Sequence, residues 1–253
     1  MPKQDLEFRN PLLNVAGMLG FVPDVHGSRV WESLGAFVTN PLSMRRRRPT
    51  AEPAVIEYPG GVLMHSGLPS PGFQHALRRF SRAWAQATIP IVVSLMADRP
   101  DETREMVRAL EGLENILAVE LSFAPNLADD IIRLAVEMSI GELPIIVGLP
   151  ASQVLSLGPQ VEALGAAAIS MSPPRGSLQG RSAVVSGRLF GPSLFPPALE
   201  LLLSARKLGL PMIASGGVAS PSQVETMLAA GALAVQADID LWIPSGNEKS
   251  PVN

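Results

Sequence analysis

The chain has 253 residues, 47% of them hydrophobic, and a formal net charge of −3 at pH 7. This is enough for a large core, in one α/β barrel or two small domains, and the balance of charge gives no reason to expect nucleic-acid binding. The absence of cysteine excludes disulfides, thiolate metal sites and a cysteine nucleophile. No apolar stretch reaches the ~18 residues of a membrane span, and the polar N-terminus is unlike a signal peptide, so we expect a cytoplasmic protein.

Short apolar runs alternate with amphipathic stretches along the chain. The runs predict eight strands, at residues 12–17, 36–39, 90–95, 117–123, 144–149, 167–170, 211–215 and 232–237. Helical patterns follow the later runs, at 101–113, 127–138, 152–165, 196–209 and 220–232. This βα alternation predicts an α/β fold, a (β/α)8 TIM barrel that forms a single domain over residues 1–253; an open doubly wound sheet is the alternative.

Two predicted loops are unusually long for such a barrel. They span residues 40–70, after the second strand, and 171–193, after the sixth. The first contains a hairpin-like piece at 54–66, with Pro59-Gly60-Gly61 at its bend. Because the loops after the strands carry the function of these barrels, we expect both to lie over the C-terminal face and cover a ligand.

Gly216 and Gly217 end the seventh predicted strand, where glycines let a backbone approach an anion. The loops after the last two strands are the usual phosphate site of TIM barrels, but Asp238 in the second of them would repel a phosphate. A tight turn with positive φ explains the same glycines without a ligand.

Other polar candidates are few. The run "MRRRRP" at 44–49 either supplies cations to an anionic ligand or is a solvated loop. His65 lies in the first long loop, where it could face a substrate, whereas His26 and His75 are expected to be ordinary surface or helix residues. Their spacing predicts no metal site. Glu120, inside the fourth strand, is predicted to be a buried acid with a structural hydrogen-bonding role.

Several segments together resemble the dihydroorotate dehydrogenase family, FMN-dependent barrels that oxidise dihydroorotate to orotate in pyrimidine biosynthesis. The segments are "NPLLNVAGMLGF" (10–21), "GAFVTNPLSMRRRRP" (35–49), "GVLMHSGLPSPG" (61–72), "VELSFAPN" (119–126), "PIIVGLP" (144–150), "GRLFGPSLFP" (187–196) and "PMIASGGVASPSQVETMLAAGALAVQ" (211–236). The resemblance runs nearly end to end. It implies an FMN cofactor, a small-molecule substrate, and pairing as a homodimer or with a related barrel.

The resemblance also implies site residues. Those toward the cofactor are Ala16 and Gly17 against the flavin, Asn40 at the position of a lysine beside it, and Gly191, Gly216 and Gly217 around the phosphate. Those toward the substrate are Gly67 and Leu68, through their amides, and Asn126, through its side chain.

Much of the family's side-chain chemistry is missing. The general base, a cysteine or serine just before Pro-Asn, falls on Ala124, and a lysine that supports the reduced flavin falls on Gly148. Asparagines that bind substrate correspond to Met64, Ser70 and roughly Pro173. Ser122 is the nearest hydroxyl that could substitute for the base. The sequence therefore assigns no catalytic residue and predicts that the standard reaction is absent or rerouted.

Three functions remain open on the sequence. The first is a divergent flavin oxidoreductase in which Arg47 or Arg48 supplies charge. The second is a non-catalytic barrel that serves as a partner or regulatory subunit. The third is a barrel that binds a different small ligand, with His65 and Asp238 as its polar groups.

Overall fold

The computed structural model describes residues 6–23, 33–52 and 54–237. The strands in these residues are β1 Leu12–Asn14, β2 Phe37–Val38, β3 Ala54–Tyr58, β4 Gly61–His65, β5 Ile91–Met96, β6 Ile116–Ser122, β7 Ile145–Leu149, β8 Ala168–Met171, β9 Arg175–Gln179, β10 Val184–Phe190, β11 Met212–Ser215 and β12 Ala234–Ala237. The α-helices are α1 Phe73–Ala85, α2 Pro100–Leu110, α3 Asp129–Ser139, α4 Ala151–Ala163, α5 Phe195–Lys207 and α6 Pro221–Ala229. Within the described part of the chain, no helix is long and apolar enough to cross a lipid bilayer.

Eight of the strands form one parallel sheet in the order β1-β12-β11-β8-β7-β6-β5-β2. A bridge between Leu13 of β1 and Ala36, next to β2, joins the two ends of this strand order and closes the sheet into a barrel. The prediction of a (β/α)8 barrel is confirmed, and the alternative of an open doubly wound sheet is wrong. All eight predicted strands are present, each within a few residues of its expected bounds.

Two apolar layers explain why the barrel strands are almost continuously hydrophobic. Inside the barrel, each strand contributes a buried residue to one packed layer: Leu13, Val38, Val92, Ala118, Ile146, Ala168, Ile213 and Ala234. A larger cluster fills the space between the outer face of the sheet and the surrounding helices. Strands buried on both faces lose the alternation of polar and apolar residues that marks a half-exposed strand.

The helices follow the sequence except at one place. The five predicted helices are confirmed, and Ser220 caps α6 by accepting a hydrogen bond from the Gln223 amide at 3.3 Å, with Pro221 in the first turn. Helix α1 was not predicted. Its buried residues Phe73, Ala76 and Trp84 recur at helical spacing, and its many polar side chains form the exposed face of an amphipathic helix.

The two long loops build a second, antiparallel sheet in the order β3-β4-β10-β9, which we call the lid sheet. Its first hairpin is the one predicted around Pro59-Gly60-Gly61, whereas β9 and β10 were not predicted. Arg188 of β10 pairs with Met64 of β4 on one side and with Arg175 of β9 on the other. Because directly paired residues point to the same face of a sheet, these three side chains form a row across the lid.

Candidate functional site

A cavity of about 570 Å³ lies between the C-terminal ends of the barrel strands and the lid sheet. Side chains from the ends of β1, β6, β8 and β12 line its barrel side, and Met64, Arg175 and Arg188 of the lid sheet line the other. This is the face on which TIM barrels hold their ligands. The cavity is therefore the candidate functional site.

Glu120 of β6 lies at the floor of the cavity and is only 4% exposed. Its Oε1 accepts hydrogen bonds from Ser170 Oγ at 2.7 Å and from Gln236 Nε2 at 3.1 Å, whereas its Oε2 has no hydrogen-bonding partner. Burial raises the pKa of the Glu120 carboxyl, and the hydrogen bonds and the positive charge of Arg188 offset part of that rise. The predicted burial of this acid is confirmed.

Arg188 reaches from the lid sheet to the tip of the first strand. Its Nη1 donates to the Ala16 carbonyl at 3.3 Å and lies 3.1 Å from the point where a Cβ on Gly17 would stand. Burial lowers the pKa of the Arg188 guanidinium and the nearby Glu120 raises it, while Arg175 lowers it by repulsion. Arg188 was not predicted from the sequence. The signal that could have found it is the arginine inside the segment "GRLFGPSLFP", in which only Gly191 was assigned a role.

The end of β6 is a turn with no strong base at its tip. The Ala124 amide donates to Asp98 Oδ1 at 2.7 Å, and the Leu127 amide donates back to the Ala124 carbonyl at 3.3 Å. Asn126 has φ of 63° and follows Pro125, which is the arrangement of a type II turn. Asparagine tolerates this conformation, so the turn alone accounts for Asn126, although its exposed side chain lines the cavity.

The loop that follows β4 lines the cavity next to the lid. Its Leu68 amide already donates to Ser66 Oγ at 3.2 Å, so it has a partner within the chain. Arg47 Nη2 donates to the Gly67 carbonyl at 3.4 Å and also lines the cavity. His65 contacts Thr50 Oγ1 through Nε2 at 3.2 Å and faces the same space.

The structure brings only some of the predicted site residues together. Ala16, Gly67, Leu68 and Asn126 line the cavity. The predicted residues outside its lining are Gly17, Asn40, Gly191, Gly216 and Gly217. Asn40 forms two hydrogen bonds with Gly20. Its side-chain Oδ1 accepts from the Gly20 amide at 3.1 Å, and its backbone N–H donates to the Gly20 carbonyl at 2.7 Å.

The predicted phosphate glycines meet at the start of α5. A Cβ on Gly217 would lie 2.7 Å from the Gly191 carbonyl oxygen and 2.5 Å from the Phe195 nitrogen, and both glycines have positive φ. Asp238, which was predicted to oppose a phosphate there, lies outside the described residues, as does His26. Among the described residues, no group of three or more histidine, aspartate and glutamate side chains is placed to hold a metal ion.

The fold and the site define a TIM-barrel protein with a polar, lid-covered cavity at its C-terminal face. The family profile described as "Dihydroorotate dehydrogenase" matches residues 3–141. The chain belongs to the dihydroorotate dehydrogenase family.

Curated relatives agree with this assignment, and a solved structure supports the fold. The catalytic subunit of dihydroorotate dehydrogenase B (NAD(+)) from Trichlorobacter lovleyi is 27% identical, over 91% of this chain and 83% of the relative. The subunit of the same name from Streptococcus pneumoniae is also 27% identical, over 91% and 82%. A crystal structure of DHODH from Eimeria tenella in complex with ferulenol superposes with a TM-score of 0.71 at 14% identity, over 92% of this chain and 77% of that one, and supports the fold alone.

The family resemblance implies FMN, so the residues present can be compared with what that group needs. At the phosphate end, Gly217 packs against the Gly191 carbonyl oxygen and the Phe195 nitrogen, so the packing of the backbone itself requires this glycine. At the ring end, the guanidinium of Arg188 lies on Ala16 and Gly17, the residues expected against the flavin. The ring end does not fit an isoalloxazine while Arg188 is in place.

Proposed function

We propose that this member of the dihydroorotate dehydrogenase family binds a small anionic ligand in the cavity and does not oxidise dihydroorotate by the family's usual route. The observation that carries the proposal is the set of charged groups around the cavity. Arg47, Arg175 and Arg188 line it, against two acids, Asp98 and Glu120. Burial raises the pKa of Glu120 and so favours its neutral form, which leaves the arginines with less negative charge opposite them.

Arginine at these positions favours a carboxylate or a phosphate group. The planar guanidinium offers paired donors that match two oxygens of one anion. Arg175 and Arg188 lie side by side on the lid sheet, and Arg47 is held by the Gly67 carbonyl on the neighbouring loop. An anion between them would also relieve the repulsion between Arg175 and Arg188.

The proposal against the usual oxidation rests on the absence of a placed base at the tip of β6. Proton removal from carbon needs a group within hydrogen-bonding reach whose protonation state can change. Ala124 offers none, and Asp98 already accepts the Ala124 amide. Ser122 lies beside Ser94, with 3.3 Å between their Oγ atoms, and has no adjacent histidine or lysine to activate it in the described contacts.

Calorimetric titration with orotate and with uracil tests the anionic ligand. The two probes share a pyrimidine ring and differ in the carboxylate. We expect orotate to bind and uracil not to bind. Arg175→Met should weaken the binding of orotate about tenfold, because one charge-assisted hydrogen bond contributes roughly 1.5–3 kcal/mol. Arg78→Met, an exposed arginine on α1 outside the cavity, is the control and should leave binding unchanged. Equal binding of both probes, or of neither, would contradict the proposal.

A turnover assay tests the second part. Purified protein with added FMN, dihydroorotate and a dye acceptor should form no orotate above the rate without protein. His65→Ala addresses the histidine that lines the cavity: if orotate does form and this substitution abolishes it, the chain is a rerouted oxidoreductase.

We also propose that the chain works in the cytoplasm as a homodimer or beside a related barrel, since the family resemblance implies such pairing. Light scattering coupled to size exclusion measures the mass directly. A mass of one chain, 26.8 kDa, at every concentration tested would rule out the homodimer.

A further inference from the structure

We propose that Arg188 permanently occupies the tip of β1, so that the cavity excludes a flavin ring and takes its ligand without that cofactor. The inference concerns the same cavity as the proposed function but does not depend on the nature of the ligand. It would fail on flavin binding, whereas the proposed function would fail on orotate binding.

The backbone under Arg188 has little freedom to move. Arg188 lies on β10, a central strand of the lid sheet, between Met64 and Arg175. The preceding Gly187 packs so closely on β4 that a Cβ there would stand 2.4 Å from the Met64 carbonyl oxygen. The lid therefore presents the Arg188 side chain to the cavity from a fixed position.

The guanidinium has a hydrogen bond to one barrel strand and a favourable charge interaction with another. At the tip of β1, the Ala16 carbonyl accepts from Nη1 at 3.3 Å. On β6, Glu120 attracts the same cation, and Ser170 and Gln236 hold Glu120 in turn. Glu120 thus favours a cation at this place through its charge, without a hydrogen bond to Arg188. A ring that displaced Arg188 would remove the cation that faces this buried carboxyl.

Side chains already occupy the space beside the tip of β1, where a stacked ring would lie. An aromatic ring packed on the backbone needs about 3.5 Å between its plane and the nearest heavy atoms. Arg188 Nη1 already lies at 3.1 Å from the Cβ position of Gly17, and Leu68 Cδ2 lies at 3.9 Å from the same point. The guanidinium and the ring therefore compete for one place.

Flavin binding to the full chain tests the inference, with quenching of FMN fluorescence as the measurement. We expect wild-type protein to quench no FMN at micromolar concentrations and Arg188→Gly to bind it at least tenfold more tightly. The affinity for riboflavin, which lacks the phosphate, should rise by the same factor, because the substitution opens space for the ring. Circular dichroism verifies that each variant is folded, and Arg188→Ala serves if Arg188→Gly is not.

Arg188→Met is the matched control, since methionine fills similar volume without charge. It should bind FMN no better than wild type. Tight FMN binding by the wild-type chain would overturn the inference, and so would a folded Arg188→Gly or Arg188→Ala variant that gains nothing. Equal gains in Arg188→Met and Arg188→Gly would overturn it as well, because charge and not occupied space would then be what excludes the flavin.

Discussion

Replacing Arg188 by methionine should destabilise the protein in a way that depends on pH. Glu120 is 4% exposed, and only its Oε1 has hydrogen-bond donors. Arg188 supplies the positive charge that lowers its pKa. Breaking a buried salt bridge costs roughly 3–5 kcal/mol, and we expect about 2 kcal/mol here because Arg188 acts on Glu120 without a hydrogen bond and borders an open cavity.

The sign of the pH dependence follows from the raised pKa of Glu120. A carboxyl whose folded-state pKa lies above its ordinary value of 4.5 favours the folded state while it is protonated, and this contribution is lost as the pH rises through the folded-state pKa. Without Arg188 that pKa rises further. The loss in Arg188→Met should therefore be about 2 kcal/mol near pH 8 and under about 1 kcal/mol near pH 5, where only packing has changed.

Urea unfolding followed by circular dichroism at both pH values measures the effect. The double variant Glu120→Gln with Arg188→Met removes both charges and should recover most of the stability lost near pH 8. Arg175→Met removes the neighbouring, exposed cation of the lid and should cost under about 0.5 kcal/mol. Equal losses at the two pH values, or no recovery in the double variant, would refute the assignment of a buried charge pair.

Three substitutions test the backbone around the site by urea unfolding. Asn126→Ala should lower the free energy of unfolding by about 1 kcal/mol because residue 126 has a φ of 63°, and Asn126→Gly should lower it less. Equal losses in the two variants would mean that the side chain of Asn126 matters and its backbone conformation does not. Gly217→Ala should cost at least about 2 kcal/mol, since its Cβ would clash with Phe195, whereas Gly112→Ala, with open space around it, should be neutral; similar effects would contradict the packing. Ser220→Ala should cost about 1 kcal/mol through loss of the α6 cap, and no change would discount that hydrogen bond.

The barrel was predictable because its strands and helices have local signatures. Each strand, buried on both faces, appears as a short apolar run, and each confirmed helix shows amphipathic spacing or a cap such as Ser220. Helix α1 was not predicted although Phe73, Ala76 and Trp84 recur at helical spacing, and β9 and β10 were not predicted because they carry exposed polar residues. Their structure depends on the barrel and on β4, which lie far away in sequence.

The candidate site divides in the same way. Sequence alone determined the barrel and the long loops, because each follows from residues adjacent in the chain, and it places an alanine at position 124. Only the tertiary structure decided that Arg188 reaches the Ala16 carbonyl and acts on Glu120 through its charge, since its position depends on the register of β10 against β4 and β9. Strand register across a sheet built from two distant loops is a long-range property, and it placed a cation at the tip of β1.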